Sequence, residues 1–146
     1  MPSPLTDVFL LHVALELPLA IRGLYSPRAL PLRELNNTVL VLLKLYASLS
    51  LASCLLALGA YPIPDWVPSK RGFALTLTLY HTIASIVLVR SPRFIHMSLG
   101  ASFERYKVTP ELVWGGAHGF LSLAFVWWQT TAGQGDPRQL GSKPNP

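Results

Sequence analysis

The chain has 146 residues, a net charge of +5, 51% hydrophobic residues and only 13% charged ones, against about 25% charged in ordinary soluble domains. That length suits one domain, and the cations sit between long apolar runs rather than in a basic block, which excludes a nucleic-acid signature and reads as membrane topology. The single cysteine, Cys54, excludes an internal disulfide and a cysteine-built zinc site, and reads as a small packing residue.

The amino-terminal stretch lacks a basic region ahead of its apolar run and carries Asp7 and Glu16, so it reads as a retained helix rather than a cleaved signal. That helix is expected over Pro4 to Leu24, with Ser3 as cap, Pro4 at its first position and Gly23 near its end. His12 and Glu16 are four apart and share a face. Pro18 removes a backbone donor and predicts a bend. Pro27 and Pro31 then enforce a loop holding Arg28, Arg33 and Glu34. Asn36-Asn37-Thr38 matches a glycosylation sequon but abuts the membrane on the expected cytosolic side.

Thr38 to Gly59 is one bilayer thickness of apolar residues with one charge inside it, Lys44. A lysine there is costly unless it reaches water or meets an acid, and Glu16 is the best candidate acid. Pro62 and Pro64 stop this helix, and Tyr61, Asp65 and Trp66 follow. A third helix is expected from Lys70 to Arg90, with Ser69 as cap and Pro92 beyond it. Residues 91–108 mix Phe94, Ile95, Met97, Phe103 and Tyr106 with Arg93, Arg105 and Lys107. They read either as a short amphipathic segment in the headgroup layer or as an irregular loop. Thr109, Pro110 and Glu111 open a fourth helix to about Thr130, in which Gly115 and Gly119 form a GxxxG pattern. The tail from Ala132 is rich in Gly and Pro and is expected to be disordered.

The fold class implied is all-α: a four-transmembrane-helix up-and-down bundle over residues 1–131, with spans near 4–24, 38–59, 70–90 and 110–130 and a tail over 132–146. Four spans put both termini on one side. That side carries four cations (Lys70, Arg71, Arg138, Lys143) and the other carries seven (Arg22, Arg28, Arg33, Arg90, Arg93, Arg105, Lys107). The positive-inside rule then places the 1–2 and 3–4 loops in the cytosol.

Each expected span carries a small or polar stripe at helical spacing: His12, Glu16, Ala20 and Gly23; Lys44, Ser48 and Ala52; Ala74, Thr78, His81 and Ser85; Glu111, Gly115, His118 and Ser122. At ~1.5 Å per residue, Glu16, Lys44 and His118 lie ~10 Å in from the loop side, His81 ~13 Å and His12 ~15 Å. Five ionisable groups from four helices could meet in one layer. Such stripes are also how membrane helices pack, with Glu16 and Lys44 neutralising each other or Lys44 snorkelling to the loop side. If the layer reacts, Glu16 and the histidines are acid and base, and Lys44 stabilises an anion. The candidate catalytic set is therefore Glu16, His12, Lys44, His81 and His118. Three histidines on three helices could bind a metal, but their spacing is no metal signature. No phosphate loop or dinucleotide fingerprint is present, so neither metal nor cofactor is assigned.

The span order, the Gly23, Ser26 and Pro27 ending of the first helix, and the Tyr80-His81 pair resemble the small DoxX-like four-helix membrane proteins over most of residues 8–128. The resemblance implies a membrane bundle, often of unassigned function, and transfers no catalytic residue. In size and span number the chain is also similar to the small sterol-synthesis scaffold proteins of the endoplasmic reticulum. The function expected is a scaffold or accessory subunit in an internal membrane, with the endoplasmic reticulum as the candidate. The alternative is a membrane-embedded isomerase or cyclase acting on a lipid- or sterol-like substrate by acid–base chemistry, and a lipid-binding or transport role comes third. The expected partners are the bilayer and a membrane protein or a second copy, not nucleic acid.

Overall fold

A computed structural model describes residues 4–132, and among them helix is the only regular secondary structure beyond one isolated antiparallel bridge. A 3-10 turn at Pro4–Asp7 leads into α1 (Val8–Tyr25), followed by α2 (Asn37–Ala60), α3 (Pro68–Arg90), a short α4 (Ala101–Arg105) and α5 (Pro110–Ala132). Ser3 and residues 133–146 lie outside the described residues, so the expected first cap and most of the tail do too. Ala132, assigned to the tail from sequence, ends α5.

Local chemistry explains the helix boundaries. The Asn36 side chain accepts from Val39 N at 2.9 Å and caps α2, so the first residue of the apparent sequon is a helix cap. Ser69 is not the cap of α3; Val67 holds that position and Pro68 takes the first turn, where a missing N–H costs nothing. Thr109 does cap α5, accepting from Leu112 N at 3.2 Å. Pro18 sits inside a continuous α1.

The four long helices form two close pairs, α1 with α2 and α3 with α5, and the pairs meet chiefly through α1 and α5. Gly23 admits Ala47 so closely that a Cβ at Gly23 would stand 2.8 Å from the Ala47 Cβ. In the other pair, a Cβ at Gly115 would stand 2.8 Å from Val89 Cγ2 and 3.1 Å from Val89 N, and one at Gly119 3.0 Å from Ser85 Oγ. The glycine face of α5 is therefore packed on α3, as the GxxxG spacing predicts; Gly116, off that face, meets nothing within 4 Å.

The apolar core lies at the end where the chain begins. Phe9 stacks on Phe73 (6.1 Å between centroids) and meets Phe125 and Trp128 edge-on, both at 5.3 Å. Lys70, counted from sequence as a topology charge, is buried there. Its Nζ pairs with Asp65 at 2.8 Å, donates to the Ile63 carbonyl at 2.7 Å and lies 5.2 Å from the Phe9 centroid. Its long stem reaches back over the turn, so the charge stays paired while the methylenes pack. Thr6 donates to the same Asp65, tying the start of the chain to the α2–α3 turn.

At the opposite end the two loops join. Arg33 N donates to the Phe94 carbonyl and His96 N to the Pro31 carbonyl, flanking the Leu32–Ile95 bridge. Glu111, at the start of α5, accepts from Phe94 N and Ile95 N at 2.7 Å each. Residues 91–108 thus begin as a tied-down extended segment and continue as the short exposed helix α4.

Leu5–Tyr25, Asn37–Ala60 and Pro68–Arg90 are long and apolar enough to cross a membrane, which fits a multi-pass membrane protein. The most apolar window of Leu5–Tyr25 is 39% buried, against 17% for each of the other two, so α1 is the most enclosed of these three. The outward faces are apolar: Leu49 and Leu123 are each 70% exposed. In a bilayer that exposure costs nothing, because lipid tails are as apolar as leucine.

Candidate functional site

Halfway along the bundle the apolar core gives way to a polar layer. His12 and Glu16 enter it from one face of α1, Tyr80 and His81 from α3, His118 from α5, and Tyr46, Ser50 and Ser53 from α2. His12, Glu16, His81 and His118 are all fully buried. Four of the five residues singled out from the sequence, His12, Glu16, His81 and His118, thus meet in one layer.

Lys44 is the exception. It is exposed on the outside of α2, beside a shallow surface recess formed with Tyr25, Arg28 and Asn37, and it has no ion pair among the described residues. The stripe Lys44, Ser48 and Ala52 faces outward, and the face that packs is Ala47, Ser50, Cys54 and Ala57. The physical reason is that α2 is apolar nearly all round. Hydropathy gives it no preferred phase, and the smallest side chains decide which face approaches α1. Those four residues recur at three and four, a spacing visible in the sequence once the charge is set aside. Missing that phase also hid Tyr46, Ser50 and Ser53.

Glu16 takes three hydroxyl donors instead of a lysine. Tyr80 donates to Oε1 at 2.9 Å, Ser50 to Oε2 at 2.9 Å and Tyr46 to Oε2 at 3.2 Å. The two tyrosine oxygens are themselves 2.6 Å apart; two phenol protons serve three contacts, so a bond between the tyrosines takes one from Glu16, and either arrangement links α2 and α3, helices with no comparable backbone packing. Ser122 and Thr82 add a further α3–α5 link at 2.7 Å.

The histidines form a hydrogen-bonded chain. Ser53 Oγ lies 2.8 Å from the Ser50 carbonyl and 3.2 Å from His12 Nε2. His12 Nδ1 is 3.0 Å from His81 Nε2, and His81 Nδ1 is 2.8 Å from His118 Nδ1. Each neutral ring carries one proton, so the bonds run in one direction along the chain or the other. His118 Nε2 ends it, buried and without a hydrogen bond, 3.6 Å from Glu16 Oε1. One ligand atom each from His12, Glu16 and His81 lies within 4.8 Å of the others, so this trio could hold a metal ion.

Searches against protein-family models, curated proteins and solved structures find no match to this chain.

Proposed function

We propose that this chain is a four-span protein of an internal membrane, of the DoxX-like kind, working as a scaffold or accessory subunit. The observation that carries this reading is the closed interior: the four ionisable side chains of the buried polar layer contact one another and the hydroxyls of four residues, Tyr46, Ser50, Ser53 and Tyr80, while the outward surface is apolar. Polar groups used in this way hold helices together in the absence of a hydrophobic drive between them. In this proposal α5 is the fourth span. It has 23 residues, as α3 does, and packs along it. Gly115, His118 and Trp128 lower its apolarity, but all three face inward and leave Leu123, Val126 and Trp127 to the lipid. The endoplasmic reticulum is the proposed location.

Photoreactive residues at Leu49, Leu79 and Leu123, exposed on α2, α3 and α5, test the scaffold role in native membranes. A scaffold gives a discrete protein adduct from one face of the bundle. Lipid adducts alone from all three positions would overturn it.

One observation favours the isomerase or cyclase reading: Glu16 lies directly beneath Tyr46, which is exposed on the outside of the bundle. An apolar substrate approaching between α2 and α3 would meet the tyrosine pair first and the acid next. On that reading Tyr80→Phe and Glu16→Gln abolish turnover in proteins that still fold.

A further inference from the structure

We propose that His12, Glu16 and His81 form a binding site for a divalent first-row transition-metal ion, with His118 as the group that orients it. This holds whether the bundle is a scaffold or an enzyme. Imidazole nitrogen and carboxylate oxygen are the donors such ions favour, and these three residues offer theirs within 4.8 Å of one another, all buried.

The hydrogen-bond chain supplies the outer shell of such a site. It ends at His118 Nε2, which is buried, makes no hydrogen bond and lies 3.6 Å from Glu16 Oε1. An ion at the trio needs bare nitrogens at His12 Nδ1 and His81 Nε2. His12 Nδ1 is bare when Nε2 donates to Ser53 Oγ. A His81 proton held on Nδ1 bares the second nitrogen and donates to His118 Nδ1. His118 then carries its own proton on Nε2 and donates to Glu16 Oε1. Three neutral rings carry three protons in either direction, so no acid or base is released. Each ligand histidine ends with its other N–H on an oxygen or nitrogen acceptor, and the carboxylate gains a histidine donor, the outer-shell pattern that fixes a metal site.

The distances suit this. Two ligands on a tetrahedral ion at about 2.0–2.1 Å lie roughly 3.4 Å apart, against 3.0 Å between His12 Nδ1 and His81 Nε2. Drawing Glu16 onto the ion asks for side-chain rotation. Three protein ligands leave a fourth coordination position open.

The test uses the full chain in lipid nanodiscs, purified on a tag without histidines, stripped with a chelator and titrated with Zn²⁺ and Co²⁺. The expected result is saturation at about one ion per chain, with Co²⁺ giving the visible bands of a four-coordinate nitrogen and oxygen site. His12→Gln, His81→Gln and Glu16→Gln should abolish binding. His118→Ala should weaken it about 10–100-fold, and His96→Ala, on the surface, should leave it unchanged. Wild-type protein should lose thermal stability on stripping and regain it with Zn²⁺, a readout needing no variant. No binding above a His96-type surface background, or binding that survives Glu16→Gln and His81→Gln, would overturn the site. So would a stripped protein as stable as the loaded one, which would mean that a proton alone closes the gap.

Discussion

Glu16 gathers hydroxyl donors from two neighbouring helices, and each donor has a measurable consequence. Glu16→Gln puts an amide N–H₂ where one oxygen accepted Tyr80 or Ser50, leaving donors facing donors. A buried donor without a partner costs about 1–3 kcal/mol. Lys44→Met removes a charge that is exposed and unpaired among the described residues, so it should change stability by no more than about 0.5 kcal/mol. The double-mutant cycle between the two should show coupling near zero, whereas the cycle between Glu16→Gln and Tyr80→Phe should be strongly non-additive. Unfolding in mixed detergent micelles measures both. A coupling above about 1 kcal/mol for Glu16 and Lys44 would contradict the separation seen here.

Helix pairs are set by where backbones can approach. Gly115 faces Leu88 and Val89 and Gly119 faces Ser85, while Gly116 faces open space. Gly119→Leu should therefore push α5 off α3, because the added side chain meets Ser85 within 3.0 Å of its first carbon. Overpacking of this kind costs about 1–3 kcal/mol. Gly115→Leu should be worse, since its obstacles include the Val89 backbone nitrogen. Gly116→Ala is the control and should be neutral or slightly stabilising, as alanine favours helix by about 1 kcal/mol over glycine. Equal melting of the three variants in detergent would mean that the glycine spacing does not determine the pairing.

At the scale of the whole molecule the two ends of the bundle are chemically distinct. Thr6, Asp65, Lys70 and Trp128 gather at one end, and Leu32, Ile95 and Glu111 at the other. On the proposal that α5 is a fourth span, reporters fused at residue 1 and residue 146 should read the same side, and single cysteines at Arg28 and Arg105 should label from the opposite, cytosolic side. Cys54 is buried and gives no background. Termini on opposite sides would mean that α5 lies outside the bilayer core.

How much of this was legible in advance depends on the helix. In α1, α3 and α5, polar and small residues interrupt the apolar ones at three and four, and that mixture has a phase. The buried faces through His12 and Glu16, through His81, and through Gly115 and His118 follow from it directly. In α2 the apolar residues run all round, so the one charge looked like the anchor. Only packing against α1 showed that Ala47 and Ser50 turn inward and Lys44 outward. The Lys70–Asp65 pair and the Glu111 grip on Phe94 and Ile95 were also out of reach, because each depends on how a turn folds back rather than on a period. Periodicity within a helix could say which residues share the buried layer. The order of the hydrogen bonds among them, from Ser53 through three histidines to Glu16, is a matter of rotation and depth between helices, and the tertiary structure alone decided it.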